Sequence, residues 1–251
     1  LASKVLGFTG ADNQGIIGME VAYDKYLQGQ DGSILTMTTA RGLEIDGKAE
    51  ERIEPIAGTN LYTSLDVNIQ SFAQQAAGKV MKAKKAKSVR IVMMNPQNGE
   101  ILAMADYPTF NLNKPRDLSE LYTKKELSKM ADDDQLDILN GLWQNYCVTA
   151  TYEPGSVQKP FTVATGLETG TINDNMTFLC DGGEQFDRWV SCVNRNGHGI
   201  ETVRKALMDS CNDALMQMSY KIGKKNFLEY QSIFGFGQKT GIDLPGEANT
   251  S

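Results

Sequence analysis

The stretch Tyr152-Glu-Pro-Gly-Ser-Val-Gln-Lys-Pro-Phe-Thr162 contains the residue pair from which the rest of the chain can be interpreted. Ser156 and Lys159 stand three residues apart, and the preceding Pro154-Gly155 predicts that a helix starts here. Residues three apart lie on the same face of a helix, so the hydroxyl and the amine can share the proton that a serine loses when it attacks a carbonyl. Unpaired N–H groups at the helix start stabilise developing negative charge. The stretch therefore predicts a serine nucleophile with a lysine base.

The composition is that of an ordinary globular protein. The 251 residues are 41% hydrophobic and 22% charged, which allows a substantial core and more than one domain. The formal net charge of -6 argues against nucleic acid as a partner, and the densest basic run, 79–87, is interpreted as the solvated end of a helix. No run of 18 apolar residues occurs, so the sequence predicts no transmembrane helix. The first residue is Leu1 and not Met, and we expect further sequence before and after these 251 residues.

The pattern along the chain predicts an α+β fold with a small N-terminal module. Residues 1–58 alternate short β-like runs with glycine turns, and 33–39 is the clearest strand. A helix is also predicted over 18–26. Residues 107–145 are interpreted as irregular, with helical patches near 119–130. The other predicted elements are a long helix over 67–86 capped by Asp66, a hairpin of strands 88–95 and 101–106, and helices at 161–168, 202–209, 214–220 and 225–234.

A second short motif, Ser210-Cys-Asn212, falls between two of the predicted helices. A loop in that position can face a cleft, where the Ser210 hydroxyl can relay a proton and the Asn212 amide can hold a substrate amide. Taken alone, each of the two motifs also fits a helix cap, a turn or a solvated side chain. Together, an S-x-x-K at a helix start and a later S-x-N are typical of active-site serine transpeptidases and β-lactamases.

With both motifs present, the chain resembles a class B penicillin-binding protein, the monofunctional D,D-transpeptidase of peptidoglycan synthesis. The resemblance implies a penicillin-binding, serine β-lactamase-like transpeptidase domain, incomplete here, over 59–251. It also implies that 1–58 is the C-terminal part of a β-rich pedestal domain. The matching segments, which follow the family's order, are Leu6-Gly-Phe-Thr-Gly10 with Gly18-Met-Glu20, Thr63-Ser-Leu-Asp66, Asn95-Pro-Gln-Asn-Gly-Glu-Ile-Leu-Ala-Met-Ala105, Tyr152-Glu-Pro-Gly-Ser156 and Phe234-Gly-Phe-Gly-Gln-Lys-Thr-Gly-Ile-Asp-Leu-Pro-Gly-Glu247.

The resemblance implies a role for each residue of the two motifs. Ser156 would attack the D-Ala–D-Ala carbonyl of a stem peptide, and Lys159 would take its proton, which requires that desolvation lower the pKa of the ammonium. Ser210 would shuttle the proton towards the leaving group, and Asn212 would position the substrate. A β-lactam would acylate the same Ser156. No cofactor is implied for catalysis.

The resemblance also implies a location and partners. The protein would act at the outer face of the cytoplasmic membrane, on peptidoglycan stem peptides, and would be a target of β-lactams. A membrane glycosyltransferase and proteins of the divisome or elongasome would be its protein partners.

One departure from the family concerns its third motif, a Lys-Thr/Ser-Gly on a strand that lines the cleft far downstream of S-x-N. Lys239-Thr-Gly241 spells this motif but follows Ser210 by only 29 residues, inside a different family segment. We interpret the match as coincidental. On this interpretation the polypeptide lacks the strand that binds the substrate carboxylate, and it would be inactive by itself.

The four cysteines and the single histidine suggest either a metal site or disulfides. An even number of cysteines in an exported protein favours disulfides, and Cys180–Cys192 on a hairpin is one pairing. The spacing Cys180-x11-Cys192-x5-His198-x12-Cys211 also suits a structural zinc site with three thiolates and one imidazole.

Some class B penicillin-binding proteins of anaerobic Gram-positive bacteria resemble this arrangement, in which a zinc ion would brace the loop of Ser210 and Asn212. Asp181 is an alternative ligand, and free buried thiols are a third alternative. Cys147 is interpreted as a small buried apolar residue.

Two rival functions stay open at this point. One is a hydrolase of the same fold, a D,D-carboxypeptidase or a serine β-lactamase, although the pedestal-like residues 1–58 argue against a β-lactamase. The other is a non-catalytic cell-wall scaffold, which the intact S-x-x-K and S-x-N motifs argue against.

Overall fold

The computed structural model describes residues 1–35, 51–185 and 188–248. These residues form two compact units, one of residues 1–150 with 242–247, the other of residues 151–241 with those from 248 onward. Both units combine helices with short strands, which confirms the α+β class. The predicted domain boundary after residue 58 falls inside the first unit and stays a prediction.

The first unit consists of seven helices and two antiparallel hairpins within the described ranges. Strand β1 pairs with β2, and β3 pairs with β4. The elements are α1 (Ser3–Leu6), α2 (Gly18–Ala22), α3 (Asp24–Leu27), β1 (Ser33–Leu35), β2 (Glu51–Ile53), α4 (Val67–Lys84), β3 (Val89–Met94), β4 (Ile101–Tyr107), α5 (Lys124–Leu127), α6 (Asp132–Trp143) and α7 (Tyr146–Thr149).

The long helix α4 and the hairpin β3–β4 agree with the sequence prediction. The Asp66 carboxylate caps α4 by accepting hydrogen bonds from two backbone N–H groups of the first turn. Small alanines of α4 and β4 are buried against each other, so the helix lies close to the hairpin. The buried Gln70 side chain exchanges two hydrogen bonds with the backbone of Met104, at 2.7 and 3.0 Å, and thereby fixes the register of helix on strand.

Other predictions for this unit were wrong or only partly correct. The helix predicted over 18–26 is two short helices that break at Tyr23. The patch near 119–130 yields only α5, and the segment 107–145, interpreted as irregular, also contains α6, whose first turn is Asp132-Asp-Asp134. Acidic residues are favourable in the first turn of a helix. Of the strand predicted over 33–39, residues 36–39 lie outside the described ranges.

The second unit contains the S-x-x-K and S-x-N motifs. The sequence pattern predicts mostly helices in this unit. The structure also contains two small antiparallel strand pairs that the pattern did not predict, β5 with β8 and β6 with β7. Its elements are a 3-10 turn (Gly155–Gln158), α8 (Lys159–Glu168), β5 (Thr177–Cys180), β6 (Gly183–Gln185), β7 (Trp189–Ser191), β8 (Gly199–Thr202), α9 (Val203–Met208) and α10 (Asn212–Ile233), which is kinked at Gly223.

The core of the second unit lies where α8, α9 and α10 meet strand β5. Its fully or nearly fully buried members include Ile172, Phe178, Ala206 and Met218, together with three of the four cysteines. Because the cysteines are part of this core, any group they hold would be anchored to the best-packed part of the unit. Among the described residues, no helix is both long enough and apolar enough to cross a bilayer.

Candidate active site and thiol cluster

The turn that presents the predicted nucleophile depends on a glycine. Gly155 has φ +62°, a conformation that residues with a side chain rarely adopt. After this turn the chain enters the short 3-10 segment that contains Ser156, and the α-helix begins at Lys159. Pro160 is tolerated because it lies in the first turn of α8. The predicted helix start is thus confirmed, with Ser156 on the 3-10 turn that precedes the α-helix and exposed to solvent.

Three of the four predicted site residues are in hydrogen-bond contact. The Lys159 Nζ donates to the Ser210 Oγ at 2.8 Å and to the Ser210 carbonyl at 2.5 Å. The Ser210 Oγ lies 2.9 Å from the Ser156 Oγ. In the part of the chain that the structure describes, no hydrogen bond joins Lys159 directly to Ser156, so Ser210 is the connecting group.

The backbone of Ser210 adopts an uncommon conformation that brings its hydroxyl into this position. Its φ of +52° lies in the left-handed region, which costs a residue with a side chain roughly 1–2 kcal/mol. The N–H of the next residue, Cys211, donates to the Ala206 carbonyl at 2.8 Å, and this bond closes the turn after α9. Strain of this kind is typical of functional sites.

The surroundings of Lys159 favour its neutral form. Partial burial lowers the pKa of the ammonium, and the nearby Cys192 and Cys211 partly oppose this effect. A lysine whose pKa is lowered has a larger fraction of free amine at neutral pH, which is the form that accepts a proton.

Asn212 and residues 239–241 are not among the residues that these hydrogen bonds join. The Asn212 side chain donates to the Ser191 carbonyl at 3.2 Å, which ties α10 to β7. Within the described ranges it makes no hydrogen bond to Ser156, Lys159 or Ser210, so its predicted substrate role stays a prediction. Lys239–Gly241 lies in an irregular segment after α10 and in no strand, as expected for a coincidental match to the third motif.

A buried cluster of thiols lies next to the Ser210 turn. Cys180, Cys192, His198 and Cys211 each point one sulfur or nitrogen atom into a common region, and these atoms all lie within 4.8 Å of one another. The His198 Nδ1 is 3.4 Å from the Cys180 Sγ and 3.7 Å from the Cys192 Sγ. The Cys192 and Cys211 sulfurs are 3.8 Å apart.

The donor set fits zinc. Bonds of about 2.0–2.3 Å in a tetrahedron separate neighbouring ligand atoms by about 3.3–3.8 Å, and the three distances above fall in that range. All cysteines are thiols, so the Cys180–Cys192 disulfide does not form in this structure. Asp181 is not a member of the cluster. Cys147 is half-buried in the first unit and is not a member of the cluster, and its Sγ lies 3.9 Å from the Ala105 carbonyl.

The start of α10 stabilises negative charge on this cluster. Cys211 is the N-cap of the helix, and its sulfur accepts a hydrogen bond from the Ala214 N–H at 3.3 Å. Burial raises the pKa of Cys192, but the backbone N–H groups of Asp213, Asn194 and Asn212 outweigh it and lower that pKa to about 7. At Cys211 burial outweighs the Ala214 N–H and raises the pKa, and burial also raises the pKa of Cys180, so the helix start favours the thiolate of Cys192 alone. Unpaired N–H groups at a helix start favour anions.

Two buried carboxylates beside the cluster escaped sequence analysis. Asp213 accepts hydrogen bonds from the backbone N–H groups of Asp181 and Gly183 at 3.1 and 3.2 Å, which ties the segment after Cys180 to α10. Glu201 is fully buried, and neither of its oxygens has a hydrogen-bond partner in the described part of the chain. The nearest basic side-chain atoms are the His198 Nδ1 at 3.9 Å and the Lys205 Nζ at 3.7 Å.

Comparison with known proteins agrees with this geometry. A sequence model of a protein family, described as the penicillin binding protein transpeptidase domain, matches residues 89–250, more than half of the chain. Among curated proteins, Stage V sporulation protein D of Bacillus subtilis is 34% identical over 98% of this chain. The chain covers 35% of the length of that relative.

Solved structures of similar fold include two penicillin-binding proteins. Penicillin binding protein 3 of Mycobacterium tuberculosis, complexed with ampicillin, is 25% identical, with a TM-score of 0.75 over 99% of this chain and 47% of the other. The complex between the penicillin-binding protein PBP2 and MreC from Helicobacter pylori gives 29% identity and a TM-score of 0.72, over 98% of this chain and 46% of the other.

Proposed function

Because this chain belongs to the penicillin-binding protein transpeptidase family, we propose that it carries the nucleophile of a peptidoglycan D,D-transpeptidase. The observation that carries the proposal is the hydrogen-bonded path from the Ser156 Oγ through the Ser210 Oγ to the Lys159 Nζ, with distances of 2.9 and 2.8 Å. A serine hydroxyl is a weak nucleophile unless a base can receive its proton. This path supplies such a base.

In the proposed acylation, the Ser156 oxygen forms a bond to the carbonyl carbon of the penultimate D-alanine in a stem peptide. Its proton passes to the Ser210 oxygen, which gives its own proton to the neutral Lys159 amine. The C–N bond to the terminal D-alanine then breaks, and the departing amine receives the proton back along the same path. The product is an ester of Ser156.

The ester is resolved by an amine from a neighbouring stem peptide. This amine attacks the ester carbon and forms the cross-linking amide, while the Ser156 oxygen leaves and regains a proton. A β-lactam would acylate the same oxygen, but ring opening leaves its nitrogen tethered, so the ester persists. The similar fold of a penicillin-binding protein solved with ampicillin supports this part of the proposal.

A labelled penicillin tests the proposal on the natural protein that carries this sequence. We expect one stable covalent label, and mass analysis of the proteolytic peptides should place it on Ser156. Rapid release of hydrolysed penicillin would instead indicate a β-lactamase. Absence of any label on a folded protein would contradict an acyl-enzyme mechanism and would favour a scaffold.

We also infer that Cys180, Cys192, His198 and Cys211 hold a structural zinc ion. Thiolates with one imidazole are a donor set that zinc prefers, and three of the distances between donor atoms, 3.4, 3.7 and 3.8 Å, suit a tetrahedron. A zinc ion held here would take no part in the acyl transfer, since all four ligand positions are filled by protein. It would brace the turn of Ser210, because Cys211 is the next residue.

Metal analysis of purified protein tests the zinc site separately from catalysis. We expect close to one equivalent of zinc per chain, and three thiols that react with a thiol reagent only after a chelator is added. Protein that contains no zinc and has four freely reactive thiols would rule the site out. Neither result depends on whether Ser156 can be acylated.

For its surroundings in the cell, we propose the outer face of the cytoplasmic membrane, with stem peptides as the substrate. A membrane glycosyltransferase and proteins of the divisome or elongasome are the proposed partners. Support comes from the similar penicillin-binding protein that was solved in complex with MreC. Co-purification of the natural protein from membranes with such partners would test this, and recovery from the cytoplasm alone would contradict it.

A further inference from the structure

The first unit contains a cavity that the proposed chemistry does not use. It has a volume of about 320 Å³, and all of its lining residues come from residues 4–146. Ser156, Lys159 and Ser210 belong to the second unit. Small-molecule sites typically measure about 300–1,000 Å³, so this cavity has room for a small ligand.

The charges that line the cavity are mostly positive. Lys4, Lys87 and Arg90 face it, and Asp106 is the single carboxylate in the lining. Asp106 is buried, and its oxygens are shared between the Lys4 ammonium at 3.2 Å and the Arg90 guanidinium at 3.6 Å. Lys87 has no ion-pair partner among the described residues. One carboxylate therefore faces three cations, and the surplus of positive charge favours an anionic ligand.

The cations are held in place by a shared aromatic ring. The Tyr146 ring lies 4.9 Å from the Arg90 guanidinium and 5.6 Å from the Lys4 ammonium. The backbone N–H of Tyr146 donates to Asp106 at 2.7 Å, which fixes the ring relative to the carboxylate. Arg90 also stands directly opposite Asp106 across the β3–β4 hairpin. Its guanidinium thus has a defined position, while most of its five N–H donors stay available.

The rest of the lining is mostly apolar. Leu121, Ile138, Leu142 and Pro108 contribute hydrocarbon surface, and Ser88 contributes a hydroxyl. Gly141 adds no side chain, and a Cβ built there would meet only the Tyr146 hydroxyl, at 3.8 Å. An inorganic anion buries no apolar surface against these side chains. An anion with a hydrocarbon body does, and this burial adds to its binding free energy.

We propose that this cavity binds a small organic carboxylate. Its carboxylate group pairs with the guanidinium of Arg90 and the ammonium of Lys87, and its apolar body lies against Leu121, Ile138 and Leu142. A planar guanidinium matches a carboxylate through two parallel hydrogen bonds, which gives the site its selectivity. The space beside Gly141 accommodates the ligand's side chain.

The test uses the full chain and N-acetyl-leucine as the probe, followed by NMR titration. We expect saturable shifts of the backbone amides around Gly141 and Tyr146, and none with N-acetyl-leucinamide, which lacks the charge. Arg90→Gln should weaken binding about tenfold or more, because a charged hydrogen-bond partner is lost. Lys124→Gln, on α5 and outside the cavity, should leave it unchanged.

Gly141 provides a matched pair of variants for the cavity itself. Gly141→Leu should fill the cavity and abolish the shifts, whereas Gly141→Ala should retain them, since a Cβ at this position has no contact closer than 3.8 Å. An unchanged far-ultraviolet circular dichroism spectrum checks that each variant is folded. Equal binding of inorganic phosphate would show a site for charge alone and would overturn the proposal. Binding of the amide, or binding unaffected by Gly141→Leu and Arg90→Gln, would overturn it as well.

Discussion

Two clusters of the second unit meet at residues 210–212, and they differ in almost every physical respect. The Ser156–Ser210–Lys159 cluster is partly exposed, and hydrogen bonds alone hold it together. The cysteine cluster is buried, with Cys180, Cys192 and Cys211 exposing at most 3% of their surface. The Ser156–Ser210–Lys159 cluster therefore contains the groups proposed to react, with little packing around them. The cysteine cluster is densely packed, and we propose no catalytic role for it.

The difference indicates how the reactive groups are positioned. Ser210 has a strained backbone, and its hydrogen bonds lie in a partly exposed site, where they contribute little stability by themselves. Its neighbour Cys211 is fully buried and caps α10, so the turn is fixed from the core side. We infer that the buried cluster supplies the rigidity on which the exposed cluster depends. Changes to the exposed cluster should therefore alter the chemistry, and changes to the buried cluster should alter stability.

The largest expected effect is on the nucleophile. Ser156→Ala should lower the rate of acylation by penicillin by at least about a thousandfold, because no other group can form the ester. The melting temperature should stay the same, since Ser156 is exposed and contributes little packing. Stopped-flow or gel-based labelling measures the first quantity and calorimetry the second. A large loss of stability would contradict the division of roles between the clusters.

The second largest effect is expected for the Ser210 hydroxyl, which connects Lys159 to Ser156. Ser210→Ala removes the only hydrogen-bonded link between Lys159 and Ser156 in the described part of the chain, so acylation should slow by about 10²–10⁴-fold. In the unaltered protein the rate should rise with pH as Lys159 loses its proton, with a midpoint below the ordinary lysine pKa, since burial lowers it. In Ser210→Ala this rise should disappear. An unchanged pH profile would mean that Lys159 acts on Ser156 without Ser210.

Removal of a thiol from the buried cluster should act mainly on metal binding and stability. Cys180→Ser should weaken zinc binding by more than about 100-fold, because even residues outside the ligand set typically change affinity by 10–100-fold. Cys147→Ser is the matched control, since Cys147 is not a member of the cluster. Competition with a chromogenic chelator gives the affinities. Equal zinc affinity in both variants would contradict the assignment of Cys180 as a ligand.

The two clusters also differ in how far the sequence predicted them. The spacing of Ser156 and Lys159 indicated a proton-sharing pair, and the structure brings both to Ser210. It did not indicate that Ser210 stands between them, because that contact joins residues 51 and 54 positions apart. Local spacing carries no information on contacts at such distances. The spacing of Cys180, Cys192, His198 and Cys211 predicted that these residues could share a site, and the structure brings their sulfur and nitrogen atoms together, while their role as zinc ligands stays a prediction.

The parts that sequence analysis missed have weak local patterns. Strands β5 to β8 are only three or four residues long, which is too short to show a clear alternation of apolar and polar residues. Asp213 and Glu201 resemble ordinary polar residues of a helix and a strand. Only the folded chain shows that both are fully buried, since burial is decided by what packs around a residue and not by its neighbours in sequence.

The smallest effect we predict concerns Asp213, a buried carboxylate beside the cysteine cluster. Its carboxylate accepts from the backbone on one side of the cluster and from the Gln217 amide at 2.6 Å, while that amide also donates to the Leu179 carbonyl. In Asp213→Asn the new NH2 group must face either the backbone N–H groups or the Gln217 NH2 group, so two donors face each other. Rotation of the Gln217 amide would instead place its oxygen against the Leu179 carbonyl oxygen, which is equally unfavourable. We expect a loss of about 1–3 kcal/mol in the free energy of unfolding. Urea denaturation measures this.

The matched control is Asp209→Asn, because Asp209 lies on the same stretch of chain but is exposed. Its loss should change stability by less than about 0.5 kcal/mol. If the buried cluster supplies the rigidity of the Ser210 turn, Asp213→Asn should also slow acylation, although Asp213 makes no hydrogen bond to Ser156, Lys159 or Ser210 within the described residues. A variant that loses stability yet acylates at the normal rate would separate the two clusters, and the turn would then be rigid for reasons of its own.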